Sequence, residues 1–303
     1  MPQNRPFLRG SDRSVSIWLL KRKSRNEERT ISSRHSAPEP LRLAASSYLN
    51  TAPLIWSFLR GSRRGSVKLI EAVPAHCAQL LSQSDVEAAL VPVIEYQRIS
   101  GISLVPDICV GSKKEVRSVV LVARNDDLES VRSIALDESS RTSAALVKII
   151  FREFLGFEPR WTTHSPDPEL MLEKNDAALI IGDPAMTFPR ERLRVWDLAS
   201  LWRRYTGLGF VFAMWMVRDE AVGQAATIDL AGARDEGVSR RDEIVDHYVP
   251  LLGLPPSMLE EYLTENICFH LDKEMRAGLD LFFRLAHKNG LLSDLKPLKT
   301  IGP

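Results

Sequence analysis

Leu41-Arg42-Leu43-Ala44-Ala45-Ser46-Ser47-Tyr48-Leu49-Asn50-Thr51-Ala52-Pro53-Leu54 is the stretch that decides the fold class. The apolar run 41–45 reads as a strand, a polar turn follows, and 51–59 carries helical spacing. The unit recurs outward from there. Strands are expected at 67–72, 88–93, 102–110, 118–123, 133–137, 177–181, 195–198 and 209–217, and helices at 75–83, 140–155, 167–174 and 183–188. This alternation is the signature of an α/β fold with a mostly parallel sheet, whose strand ends would host a ligand. Farther on, 257–289 has a 3.6-residue period, with Leu271, Met275, Leu279, Phe282, Phe283 and Ala286 on one face. Asn289-Gly290 should stop that helix. The stripe fits packing onto the chain's own core, and 229–236 reads as a surface loop.

The chain has 303 residues, with 40 Lys+Arg against 39 Asp+Glu. That balance supplies no basic field for general nucleic-acid binding. No apolar run approaches the ~20 residues that span a bilayer. Cys77, Cys109 and Cys268 form no CxxC pair, which fits a reducing, cytoplasmic setting and argues against a disulfide framework. Their spacing to His76 and His270 matches no zinc pattern. Residues 1–38 differ from the rest. Arginine and lysine outnumber acidic residues there and only 15–20 is apolar, as in a disordered basic N-terminal extension; a start codon placed too far upstream would look the same. The apolar stretch is too short for a signal peptide and runs straight into Lys21-Arg22-Lys23.

Three polar turns fall at strand ends. In the first, Asn50 or Thr51 would cap a helix whose free amides favour a carboxylate. In the second, Asp137-Glu138-Ser139-Ser140-Arg141-Thr142-Ser143, hydroxyls, backbone donors and the Arg141 guanidinium can converge on one anion, or simply cap the helix. In the third, Gly182-Asp183-Pro184-Ala185, Asp183 could cap a helix or orient a ligand hydroxyl. Trp202, Tyr205, Phe210, Phe212 and Trp215 supply either an apolar pocket wall or core. GxGxxG, GxxxxGK[ST], HExxH and GxSxG are absent, and the six histidines are scattered.

The residues themselves carry a family resemblance. The matching blocks are Ser47 to Leu54, Leu90-Val91-Pro92-Val93-Ile94-Glu95-Tyr96, Asp137 to Ser143, and Ile181-Gly182-Asp183. Asp197-Leu198 followed by Trp202, and then Thr206 to Trp215, complete the set. With these six ordered blocks the sequence resembles the chorismate dehydratase family of the futalosine route to menaquinone, from Leu41 to about Leu292. A sister enzyme that makes dihydroxynaphthoate looks different at the first block, where Tyr48-Leu49-Asn50-Thr51 stands here. Two departures are the tail before Leu41 and Val93, where some relatives carry a small polar residue.

The resemblance implies a two-lobed type II periplasmic-binding-protein-like fold, with the ligand cleft between lobes. It would place 39–121 and 209–303, including the C-terminal helices, in a discontinuous first lobe and 122–208 in a second. Strands 118–123 and 209–217 would be the crossovers. The implied activity is that of a lyase: loss of water from chorismate to 3-[(1-carboxyvinyl)oxy]benzoate, driven by aromatisation, with no cofactor and no metal. Asn50 would contact the reacting part of the substrate. Ser47, Tyr48, Thr51, Ser139, Ser140, Arg141, Thr142, Asp183 and Thr206 would bind it, with Arg141 and its hydroxyl neighbours clamping a carboxylate. The proton acceptor would be Glu95, Asp183 or the substrate's enolpyruvyl group. A solute-binding or ligand-sensing protein of the same fold remains open, since a fold alone does not establish catalysis.

Overall fold

The computed structural model describes residues 39–302. Along the chain run β1 (Arg42–Ala45), α1 (Ala52–Arg60), β2 (Lys68–Glu71), α2 (Pro74–Ser82), β3 (Ala88–Pro92), α3 (Glu95–Arg98), β4 (Ile102–Ser112) and β5 (Val119–Ala123). Next come β6 (Ser133–Asp137), α4 (Thr142–Ile149), β7 (Arg160–His164), α5 (Pro168–Lys174), β8 (Ala177–Ile181), α6 (Asp183–Thr187), β9 (Arg194–Asp197) and α7 (Leu198–Thr206). The remainder is β10 (Phe210–Arg218), α8 (Val222–Ala225), α9 (Leu230–Ser239), α10 (Arg241–Leu252), α11 (Pro256–Glu261) and α12 (Lys273–Lys288).

The strands form two sheets, one for each lobe that the resemblance implies, ordered β2-β1-β3-β10-β4 and β7-β6-β8-β5-β9. Each sheet has the same plan. Four strands share a direction and the fourth in spatial order, β10 or β5, runs against its neighbours. The second sheet is covered on both faces: along β5, Val119, Leu121 and Ala123 join the main core while Val120 and Val122 join a smaller one with Met171 and Phe188. Strands buried on both sides read as unbroken apolar runs, which made them visible in the sequence.

Four expectations are corrected. β5 pairs only within the second sheet and β10 only within the first, so the chain passes between sheets at 113–118 and 198–209, and the expected boundary at 121 cuts β5. Edge strand β7 was not foreseen, because Arg160, Thr162, Thr163 and His164 give it almost no apolar signal. Residues 229–236 are helical, not a loop. Asp229 caps α9 by accepting the Gly232 amide at 2.7 Å, and Gly237 packs against α1, where a Cβ would sit 1.9 Å from the Pro53 carbonyl oxygen. The expected helix at 257–289 is broken: Cys268 bridges Gly111 of β4, and Asp272 caps a fresh start at α12 through Met275 N at 2.9 Å. Met275, Leu279, Phe282, Phe283 and Ala286 of the stripe are buried in the core. Among the described residues, no helix is long and apolar enough to cross a membrane. The basic N-terminal extension expected at 1–38 lies outside the described residues.

Candidate active site

A cleft opens between the two sheets. Leu90, Pro92, Val110 and Phe212 make an apolar floor, and the turns that leave β1 and β6 face each other across it.

The β1 turn supplies Ser46, Tyr48, Asn50 and Thr51. It does not offer the free helix amides expected of it. Thr51 N and Ala52 N both donate to Tyr48 O, at 2.9 and 3.2 Å, and Pro53 has no amide. What the turn offers is side chains. Ser46 Oγ lies 2.8 Å from Thr51 Oγ1, which donates to Asn50 Oδ1 at 3.1 Å. The buried Tyr262 hydroxyl, which donates to Ser118 Oγ at 2.6 Å, lies beside Asn50. With its carbonyl oxygen engaged by Thr51, Asn50 has its amide group left as the donor.

The β6 turn begins at Asp137, whose Oδ1 accepts from Ser139 N at 2.8 Å and Ser139 Oγ at 2.6 Å. Asp137 Oδ2 has no partner among the described residues, and burial pushes this carboxyl up. Ser140, Arg141, Thr142 and Ser143 then line the cleft. No side chain caps α4, and first-turn amides have no intrahelical acceptor, so this end presents donors and a positive dipole. Arg141 Nη1 donates to Glu95 Oε2 at 2.7 Å, and Ile94 N donates to Thr142 Oγ1 at 3.3 Å.

The structure thus brings Tyr48, Asn50, Thr51, Ser140, Arg141 and Thr142 to one cleft. The other expected residues lie elsewhere. Ser139 sits behind the wall, tied to Asp137. Ser47 and Asp183 line a neighbouring groove, where Ser47 O accepts from the Tyr248 hydroxyl at 2.7 Å. Asp183 Oδ1 accepts from Leu49 N at 2.9 Å, and burial pushes its carboxyl up to about 6. Thr206 finishes α7, donating to Trp202 O and accepting from Leu208 N, and does not line this cleft.

Sequence reasoning left Ser46 and Gly182 unassigned. Gly182 has φ +68, and a Cβ there would lie 2.6 Å from the Tyr48 ring, so glycine is needed both for the backbone and for seating Tyr48. Burial and the nearby Asp137 charge raise the Tyr48 phenol. Of the aromatic group, Phe212 reaches the cleft while Trp202 and Trp215 are fully buried core. Among the described residues, no group of three or more His, Cys, Asp or Glu side chains could hold a metal ion.

Comparison with known proteins places this geometry in context. A family model described as menaquinone biosynthesis matches residues 41–288. A chorismate dehydratase of Thermus thermophilus is 33% identical over 262 residues, covering 80% of this chain and 94% of that one. A crystal structure of an Archaeoglobus fulgidus protein superposes with TM-score 0.69 at 16% identity, covering 85% of this chain and 100% of that one. A Candida albicans protein described as having the generic periplasmic binding protein fold gives TM-score 0.58 at 12% identity, covering 87% and 99%. These two show the fold: two α/β lobes of the periplasmic-binding-protein type around a cleft. The model match over most of the chain and the Thermus relative show the kinship, and the chain belongs to the menaquinone biosynthesis family.

Proposed function

We propose that this protein is a chorismate dehydratase, a hydro-lyase that converts chorismate to 3-[(1-carboxyvinyl)oxy]benzoate and water. The observation that carries the reading is the opposition, across one cleft, of Asn50, its carbonyl oxygen engaged by Thr51, and the uncapped α4 turn with Arg141. The Thermus relative supports it by its name. Chorismate is a dianion with a ring between its carboxylates. Arg141 and the α4 amides suit one carboxylate, the apolar floor suits the ring, and the Ser46, Asn50 and Thr51 side chains suit the hydroxyl end.

In the reaction the bond from ring carbon to hydroxyl oxygen breaks, and the carbon bearing the ether loses its proton. Hydroxyl and proton leave together as water, and the ring becomes aromatic. The steps are redox-neutral, so the reading uses no cofactor. The residues supply orientation and a donor, the Asn50 amide, for the departing oxygen. Among the described residues, the cleft walls carry no carboxylate or imidazole. Glu95 is engaged by Arg98 and Arg141, and Asp183 faces the neighbouring groove, so we assign proton acceptance to the substrate's own enolpyruvyl carboxylate, which hands the proton to the departing hydroxyl oxygen so that water leaves and the carboxylate is regenerated. On this reading the protein works in the cytoplasm, and its two lobes, one around each sheet, close over the substrate.

Incubating the purified protein with chorismate, followed by mass spectrometry and ultraviolet absorbance, tests the proposal. Loss of one water to give the aromatic enol ether supports it. Unchanged chorismate with thermal stabilisation would make the protein a binder, and neither response would refute the substrate.

A further inference from the structure

One buried carboxylate beside the cleft has no part in the chemistry above. Glu95 opens α3, which follows β3 of the first sheet, and its side chain is 3% exposed. Its Oε1 accepts from Arg98 Nη1 at 2.9 Å and its Oε2 from Arg141 Nη1 at 2.7 Å. A buried carboxylate without partners is costly, and two guanidinium donors compensate this one. Arg98 belongs to the same lobe, whereas Arg141 stands on the second. The contact uses a single Arg141 nitrogen, so most of that five-donor fork is left for the cleft that Arg141 lines.

The neighbourhood fixes Glu95 in place. Ile94, just before it, donates its amide to Thr142 across the same boundary. On its other side α3 is strapped by 296–299. The Tyr96 hydroxyl donates to Pro297 O at 2.6 Å and accepts from Lys299 N at 2.7 Å, while Gln97 exchanges hydrogen bonds with Lys296 N and O.

We propose that Glu95 is a positioning residue for Arg141: gripping one nitrogen from the opposite lobe, it aims the remaining N–H groups at a substrate carboxylate. Because the partners sit on different lobes, the grip exists only when the lobes are together, so closure and orientation of the clamp are one event. The inference rests on the reading of Arg141 as the carboxylate clamp.

The test combines kinetics with side-chain NMR on Glu95→Gln, Glu95→Asp, Arg141→Ala and the Glu95→Gln/Arg141→Ala double variant. Arg98 and Arg141 are 41% and 36% exposed, so water can take over from the lost charge and Glu95→Gln should remain folded, which melting curves verify. Glu95→Gln is expected to raise KM for chorismate about tenfold with kcat within about threefold, and Glu95→Asp to recover part of the loss. In the Arg141→Ala background the same substitution should add nothing. In spectra of arginine side chains, the signal lost in Arg141→Ala should show restricted guanidinium rotation in the wild type and free rotation in Glu95→Gln. Unchanged KM, a full additive penalty in the double variant, or a rotation signal indifferent to Glu95→Gln would overturn the proposal. A roughly thousandfold fall in kcat at constant KM would also overturn it, making Glu95 the base instead. If the wild type leaves chorismate intact, or Arg141→Ala leaves KM unchanged, the reading of the cleft fails and the rotation signal alone decides the role of Glu95.

Discussion

Asn50 and Asp183 sit within one loop contact of each other, yet their environments give them opposite tasks. Asn50 is held through its carbonyl oxygen by Thr51, which leaves its amide as a donor toward the cleft. Asn50→Ala is expected to lower kcat about a hundredfold or more with the melting temperature nearly unchanged. Steady-state kinetics beside a melting curve checks both. Asp183 serves the fold instead. Burial raises its carboxyl from 3.8 to about 6, with the Leu49 amide as a partial offset. The folded chain therefore binds this proton more tightly than the unfolded one. The stability it contributes is present below pH 3.8 and is lost as pH rises through about 6, an interval worth roughly 3 kcal/mol. Asp183→Asn keeps an acceptor for Leu49 without the charge. It should raise the melting temperature near pH 7.5 and leave it unchanged near pH 4, as a pair of thermal scans at about those two pH values can establish.

At the scale of elements, α9 shows why local chemistry can be misread. Its ten residues include Gly232 and Gly237, which lower helix propensity, and Gly232 with the alternating charges of 229–236 suggested a loop. Gly237 is there because α1 comes so near that a Cβ would meet Pro53 backbone, which cannot swing aside as a side chain can. Gly237→Ala should gain helix propensity yet lose about 1–3 kcal/mol overall, measured by denaturant titration. A neutral or stabilised variant would contradict the contact. The break before α12 has the same origin: a continuous apolar period spans it, but Cys268 is drawn into a bridge with Gly111. In α4 the local and global signals agree, and the helix begins within two residues of the expected start.

At the scale of the molecule, the main core contains Leu43 and Trp215 of the first sheet, Ile134 and Leu179 of the second, and Phe282 of α12. One core under two sheets should unfold as one unit. Calorimetry is expected to give a single transition with matching van't Hoff and calorimetric enthalpies, and two resolved transitions would contradict this continuity. The amino-acid sequence alone determined the alternation of strands and helices, the two polar turns at Asn50 and Arg141, and, through six ordered blocks, the family. Those features are written in residues adjacent along the chain, where period, turn chemistry and block order can be read directly. Only the tertiary structure decided the order of strands within the two sheets and that Ser47, Asp183 and Thr206 lie off the walls of the cleft. It alone also showed that the Thr51 and Ala52 amides are already used and that Glu95 reaches Arg141. Apart from the amides of Thr51 and Ala52, which turn back on Tyr48 O within one local turn, those outcomes depend on which groups meet across 40 or more residues or on which way a side chain faces, and no local pattern encodes such a meeting.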